Sequence, residues 1–274
     1  NRKKHTKKPV AQMVEGFHRE DPPPVPQLAV PFSVPEQCQI TRHKSKDMKA
    51  KAIGDLAIIG YFYLLRVGEY TKPRTYKSNG EEIKATGTVQ FRVGDVGFFK
   101  NGKILPRNST LQKLKQADSC TLKITNQKNG RMGQTIHQQK NGKRTCPVRA
   151  LAQRVNHILT NNGTTENLIC DTFLKDKAEW YQITAKDMLQ AVRQAAEELN
   201  LQNKGINTDL IGVHSLRAGG AMALKLNGES DTTIMKMGRW TSLTFLQYIH
   251  NQIAHLSKDI SKKMSKHIKF QNIA

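Results

Sequence analysis

The chain has 274 residues, 37% of them hydrophobic, and a formal net charge of +22. That length accommodates one large domain or two small ones, with enough apolar material for a core. So large a cationic excess points to a polyanionic partner, nucleic acid foremost, and the lack of any apolar run near ~18 residues excludes a membrane-spanning helix.

Residues 1–44 read as peripheral. "NRKKHTKK" is a basic arm, and "EDPPPVPQLAVPFSVPEQ" has the proline content of a stiff linker, the remnant of a region that precedes the domain. The arm carries no signal-peptide pattern. From about Lys46 to Tyr70 a strongly apolar helix is predicted through "DLAIIGYFYLLRVGEY", closed by Pro73. A β-rich zone follows. "TVQFRV" and "VGFF" read as strands, with a hairpin turn through Asn101-Gly102. "CTLKIT" and "GQTIHQQ" form a second pair joined by "NQKNGRM".

Helices then dominate. Pro147 opens one in "CPVRALAQRVNHIL". Thr184 and Asp187 make a capping box ahead of "DMLQAVRQAAEEL". A helix over 214–227 ends at Gly228, a short one near 231–237 ends at Gly238, and a last one begins near Ser242. Cys38, Cys120, Cys146 and Cys170 are scattered without a CxxC pair, which argues against zinc and fits a reducing compartment.

The stretch "GVHSLRAGGAMALKLNG" is the strongest local feature. Helical spacing puts His214 and Arg217 on one face at the positive end of a helix dipole, an arrangement suited to an anion. Gly219 and Gly220 inside that helix cost roughly 1 kcal/mol each relative to Ala, so close approach of another backbone is expected there. The helix pair around Gly228 also resembles a helix-turn-helix, which would only read DNA. Arg66, at the end of the apolar helix, has Glu69 one turn on as a ready ion-pair partner. Lys128 lies in the turn between two strands, where Lys123, Arg131 and Lys140 compete with it. Trp240 offers one N–H donor, though a core position is the commoner fate of a tryptophan. Phe245, Leu246, Ile249, Ile253 and Leu256 share one side of the last helix, and Tyr248 falls roughly 100° from the centre of that stripe.

Taken in order, Arg, Lys in a β-turn, His-x-x-Arg, Trp and Tyr resemble the tyrosine recombinase (phage integrase) superfamily. "LLRVGEYT", "CPVRAL", "HSLRAGGAM" and "GRWTSLTFLQYIH" look most like the recombinases of eukaryotic mobile elements of the DIRS and Crypton kinds. The resemblance implies a mixed α+β, mainly helical catalytic domain over residues 45–252, with a small antiparallel β-sheet on one edge. It implies Arg66 and Arg217 as phosphate-clamping arginines, Lys128 as proton donor to the leaving oxygen, His214 in the His-x-x-Arg box, Trp240 as a hydrogen-bond donor and Tyr248 as nucleophile. It also implies double-stranded DNA as partner, action as a dimer to tetramer on DNA, a nuclear location, and no metal, cofactor or membrane. Such enzymes usually carry a helical core-binding domain ahead of the catalytic one.

Two other readings share the composition: a type IB topoisomerase, which religates one strand to itself, and a non-catalytic DNA-binding module. The His-x-x-Arg box favours the recombinase. The basic tail, residues 253–274, repeats Leu256, Ile260, Met264 and Ile268 every fourth residue. That stripe suits a helix that packs on its own core or, as the resemblance implies, docks into a neighbouring protomer.

Overall fold

A computed structural model describes residues 27–78, 81–84, 89–124 and 133–246. Lys128, Tyr248 and the 253–274 tail lie outside the described residues. Helices α1 (Ser33–Lys44), α2 (Met48–Phe62), α3 (Leu111–Lys115), α4 (Pro147–Thr160), α5 (Ala185–Glu198), α6 (Ser215–Leu226) and α7 (Asp231–Gly238) dominate the architecture. The strands are β1 (Thr75–Ser78), β2 (Glu81–Lys84), β3 (Val96–Lys100), β4 (Lys103–Leu105), β5 (Ser119–Ile124), β6 (Gln134–Gln139), β7 (Asp171–Leu174) and β8 (Glu179–Gln182). All pair antiparallel, and the largest sheet has the order β4-β3-β5-β6. The expected mixed, mainly helical class with a small antiparallel sheet is what the chain adopts.

The apolar α2 is the centre of the core, with Leu56, Ile58 and Ile59 fully buried, and α1, α4, α5 and α6 pack around it. Asp47 starts it by accepting the N–H groups of Lys49 and Ala50 at 2.8 and 3.2 Å. It stops at Phe62, well short of the expected Tyr70. Leu64 turns left-handed (φ 49°), the Leu65 N–H returns to the Gly60 carbonyl at 3.0 Å, and both leucines stay buried while the helix axis is abandoned. A 3₁₀ turn over Val67–Glu69 follows. Arg66 therefore stands on a corner beyond the helix rather than on its last turn.

The sheet braces that corner. Val96, Phe98, Cys120, Leu122 and Ile136 present one buried face, in the register Val96↔Leu122↔Ile136. The Tyr63 hydroxyl lies 2.6 Å from the Cys120 sulfur and donates to the Cys120 carbonyl at 3.3 Å, and the Gln138 amide donates to the Phe62 carbonyl. The Asn101-Gly102 hairpin forms as expected, both residues at positive φ. "TVQFRV" is not a strand. Asp95 accepts the Arg92 N–H at 2.8 Å and folds Val93–Asp95 into a 3₁₀ turn, leaving a single bridge from Arg92 to Leu168. The β7–β8 hairpin was not anticipated.

The expected linker needs the larger correction. From residue 27 the segment is part of the core: Val30, Val34 and Cys38 are buried, and α1 lies along α2. Pro35 falls within the first turn of α1, where a missing N–H costs little. This segment also accounts for the glycine pair in α6. A Cβ at Gly219 would sit 2.2 Å from the Val30 carbonyl oxygen, and one at Gly220 would sit 2.4 Å from the Tyr61 carbonyl oxygen. Backbone oxygens cannot swing aside. Gly219→Ala should therefore lose about 1–3 kcal/mol to the clash even though alanine is the better helix former. Thermal melting checks this: a gain in Tm would refute the packing role.

Candidate active site

The head of α6 is where distant parts of the chain meet. The segment from Gln27 to Val30 crosses it, the Gln27 side-chain oxygen accepting the His214 N–H at 2.9 Å and the Val30 N–H donating to the Ser215 carbonyl. His214 is the residue before the first helical turn, and its ring caps nothing. Burial pushes its pKa below the usual histidine value, and the charges of Arg217, Arg66 and Arg74 push the same way against a weaker pull from Glu69. Three arginines are thus close enough to His214 to act on it, and the ring is neutral at neutral pH.

Arg217, on the first turn of α6, is 4% exposed. Its Nη2 donates to the Gly238 carbonyl at 2.6 Å, and its guanidinium lies 4.3 Å from the centre of the Trp240 ring. Gly238 is compelled by that ring, since a Cβ there would fall 1.6 Å from it. Trp240 is accordingly neither a core tryptophan nor a bare surface one. It is a half-buried platform under an arginine.

Arg66 contacts Glu69 through Nη1 at 3.3 Å, and the Arg66 backbone N–H donates to Glu69 Oε2 at 2.8 Å. The ion pair weighed from the sequence therefore exists, but the main partner of Glu69 is another residue. Arg239, at the left-handed residue closing α7 (φ 59°), donates Nη1 to Oε1 at 2.9 Å and Nη2 to Oε2 at 2.8 Å. Burial alone would raise the Glu69 carboxyl; Arg239, assisted by Arg217 and the Arg66 N–H, overrides it and holds the pKa below the ordinary value.

Sequence reasoning missed Arg239 and Arg74. A glutamate in the apolar setting of "LLRVGEY" was a signal that some cation must be buried with it. "GRW" held one, 170 residues away.

A cleft of about 300 Å³ beside this cluster is lined by Gln134, Thr232, Met235, Lys236, Trp240 and Thr241, with Arg239 at its floor. Gln134, the first residue of β6, forms one side of this cleft. The structure thus brings Arg66, His214, Arg217 and Trp240 together. Among the described residues there is no cluster of His, Cys, Asp or Glu suited to a metal ion, and no helix long and apolar enough to cross a membrane.

No family model matches the chain, and no curated protein does. Among solved structures it is similar to a XerA recombinase, at 12% identity and a TM-score of 0.48, over 90% of this chain and 68% of that one. It is also similar to the Tn1549 transposon integrase in complex with transposon right end DNA, at 12% identity and a TM-score of 0.42, over 88% of this chain and 68% of that one.

Proposed function

We propose that the chain is the catalytic domain of a DNA breaking-and-rejoining enzyme of the tyrosine recombinase kind, serving a eukaryotic mobile element in the nucleus. The observation that carries this is the gathering of Arg66 and Arg217 around Glu69, both acting on His214, with Trp240 against the Arg217 guanidinium, from three separate stretches of the chain. Such a cluster of cations suits a phosphodiester, whose charge must be neutralised before a nucleophile can approach. Arg66 and Arg217 donate to the nonbridging oxygens, and these contacts tighten as the pentacoordinate transition state gathers charge. Tyr248 attacks the phosphorus. Neutral His214 takes the phenol proton or holds a phosphate oxygen, and Trp240 keeps Arg217 flat and in place. Lys128 protonates the departing 5′ oxygen. The phosphate is left as a 3′-phosphotyrosine ester with a free 5′-hydroxyl, and attack by a 5′-hydroxyl from another strand reverses the step and exchanges strands.

A nicked suicide duplex, which loses its 5′-hydroxyl fragment after cleavage, tests the reading. The protein should become covalently attached to the DNA 3′ end. DNA that is bound but never joined would leave the non-catalytic DNA-binding module as the better description.

The pH profile of that cleavage follows from His214. With its pKa lowered by burial and by Arg217, Arg66 and Arg74, the ring stays neutral below the usual value of 6.5. Single-turnover cleavage should therefore hold constant as pH falls past 6.5 and decline only as the lowered pKa is crossed. His214→Gln should abolish that acid limb, and an unchanged limb in the variant would assign it to another group.

A further inference from the structure

We propose that Arg239 is a positioning residue: by occupying both oxygens of Glu69 it leaves the guanidinium of Arg66 available to the scissile phosphate. This rests on the recombinase reading above. Both terminal nitrogens of Arg239 are engaged by Glu69 and its side chain is 2% exposed, whereas that of Arg66 is 24% exposed. The two compete for one carboxylate. Arg239 takes it as a fork at 2.9 and 2.8 Å, while the Arg66 side chain has a single contact at 3.3 Å. Glu69 is nearly buried, and a buried carboxylate recruits whatever cation is within reach. Without Arg239 the cation already in side-chain contact with Glu69 is Arg66, three residues away on the same turn, while Arg217 is held by the Gly238 carbonyl and the Trp240 ring. Its fork would then close on protein instead of on substrate.

The anchoring of Arg239 fits this role. Its left-handed backbone ends α7, its Nη2 also donates to the Leu64 carbonyl at 3.3 Å, and Gly238 just before it accepts from Arg217. The Gly238–Trp240 corner therefore sets both phosphate arginines. It holds Arg217 directly, through the Gly238 carbonyl and the Trp240 face, and Arg66 indirectly, by taking its competitor.

The test is single-turnover cleavage of the suicide duplex by the full chain carrying Arg239→Met, with and without Glu69→Gln. A second substrate has a methyl group in place of one nonbridging oxygen of the scissile phosphate. Arg239→Met should cut the normal substrate about 10²-fold more slowly, the usual cost of a misplaced group, with DNA affinity little changed. Adding Glu69→Gln removes the competing charge and should restore most of the rate. On the neutral methyl substrate, which needs no charge clamp, Arg239→Met and the wild type should differ little, as should Arg66→Lys. If Arg239→Met does not fold, Arg239→Lys, which keeps the charge and loses the fork, is read out in the same two ways. A deficit that persists on the methyl substrate and in the Glu69→Gln background would mean a merely structural residue and overturn the proposal, as would wild-type rates from Arg239→Met. A wild type that never forms an adduct would overturn the recombinase reading, and the proposal with it.

Discussion

Tyr248→Phe is expected to bind DNA as the wild type does and to form no covalent adduct on a suicide duplex. In the proposed reaction the phenol oxygen is the atom that bonds to phosphorus, so its removal should eliminate the product rather than slow it, while a phenyl ring conserves shape. The other tyrosines are poor nucleophiles for reasons visible in the fold. Burial raises the phenol pKa of Tyr61, Tyr63 and Tyr70, and Tyr63 is further occupied with Cys120. Burial raises that of Tyr181 as well, and its hydroxyl donates to Asp187 at 2.8 Å, at the start of α5 and remote in sequence from the arginines. A phenol held protonated this firmly needs a stronger base than a histidine of lowered pKa. Tyr76, on the β1–β2 hairpin, is the remaining competitor. Peptide mapping of the wild-type adduct should identify Tyr248. An adduct surviving in Tyr248→Phe, or mapping to Tyr76, would refute the assignment.

Features governed by local chemistry were legible in the sequence. The Asn101-Gly102 turn, the Pro147 helix start and the Thr184–Asp187 capping box are each decided within a few residues, and each forms. The glycine pair in α6 was legible in kind, since two helix-weakening residues imply a close neighbour, but that the neighbours are Val30 and Tyr61 is a tertiary fact. The linker reading failed because proline content was weighed without position. Val34 and Cys38, four apart, already formed one face of a helix that Pro35 can enter in its first turn. Of the site, Arg66, His214, Arg217 and Trp240 came together, Lys128 and Tyr248 lie outside the described residues, and Arg239 did not announce itself. Its pairing with Glu69 spans 170 residues and leaves no periodicity, only the demand of a buried carboxylate for a partner.

That demand makes Glu69→Ala the variant with the largest expected loss of stability. It removes the acceptor of the Arg66 N–H and leaves Arg239, 2% exposed, as an uncompensated buried charge. Breaking one side of such a pair typically costs about 3–5 kcal/mol. Whole domains are stable by only about 5–15 kcal/mol, so the variant should be marginal at physiological temperature. Urea unfolding should show a lower midpoint with an unchanged slope. Glu69→Gln with Arg239→Met should recover most of the loss, because it removes both charges and keeps an acceptor for the Arg66 N–H. The pH dependence has a definite sign. With its folded pKa below the ordinary 4.5, Glu69 contributes its full share of stability above pH 4.5 and loses it as pH falls through the lowered value. The wild type should therefore lose stability relative to the double variant on acidification. If Glu69→Ala costs less than about 1 kcal/mol, the range of an exposed surface pair, the pair is not the anchor of the Arg66 corner and the Gly238–Trp240 corner must be held by other contacts.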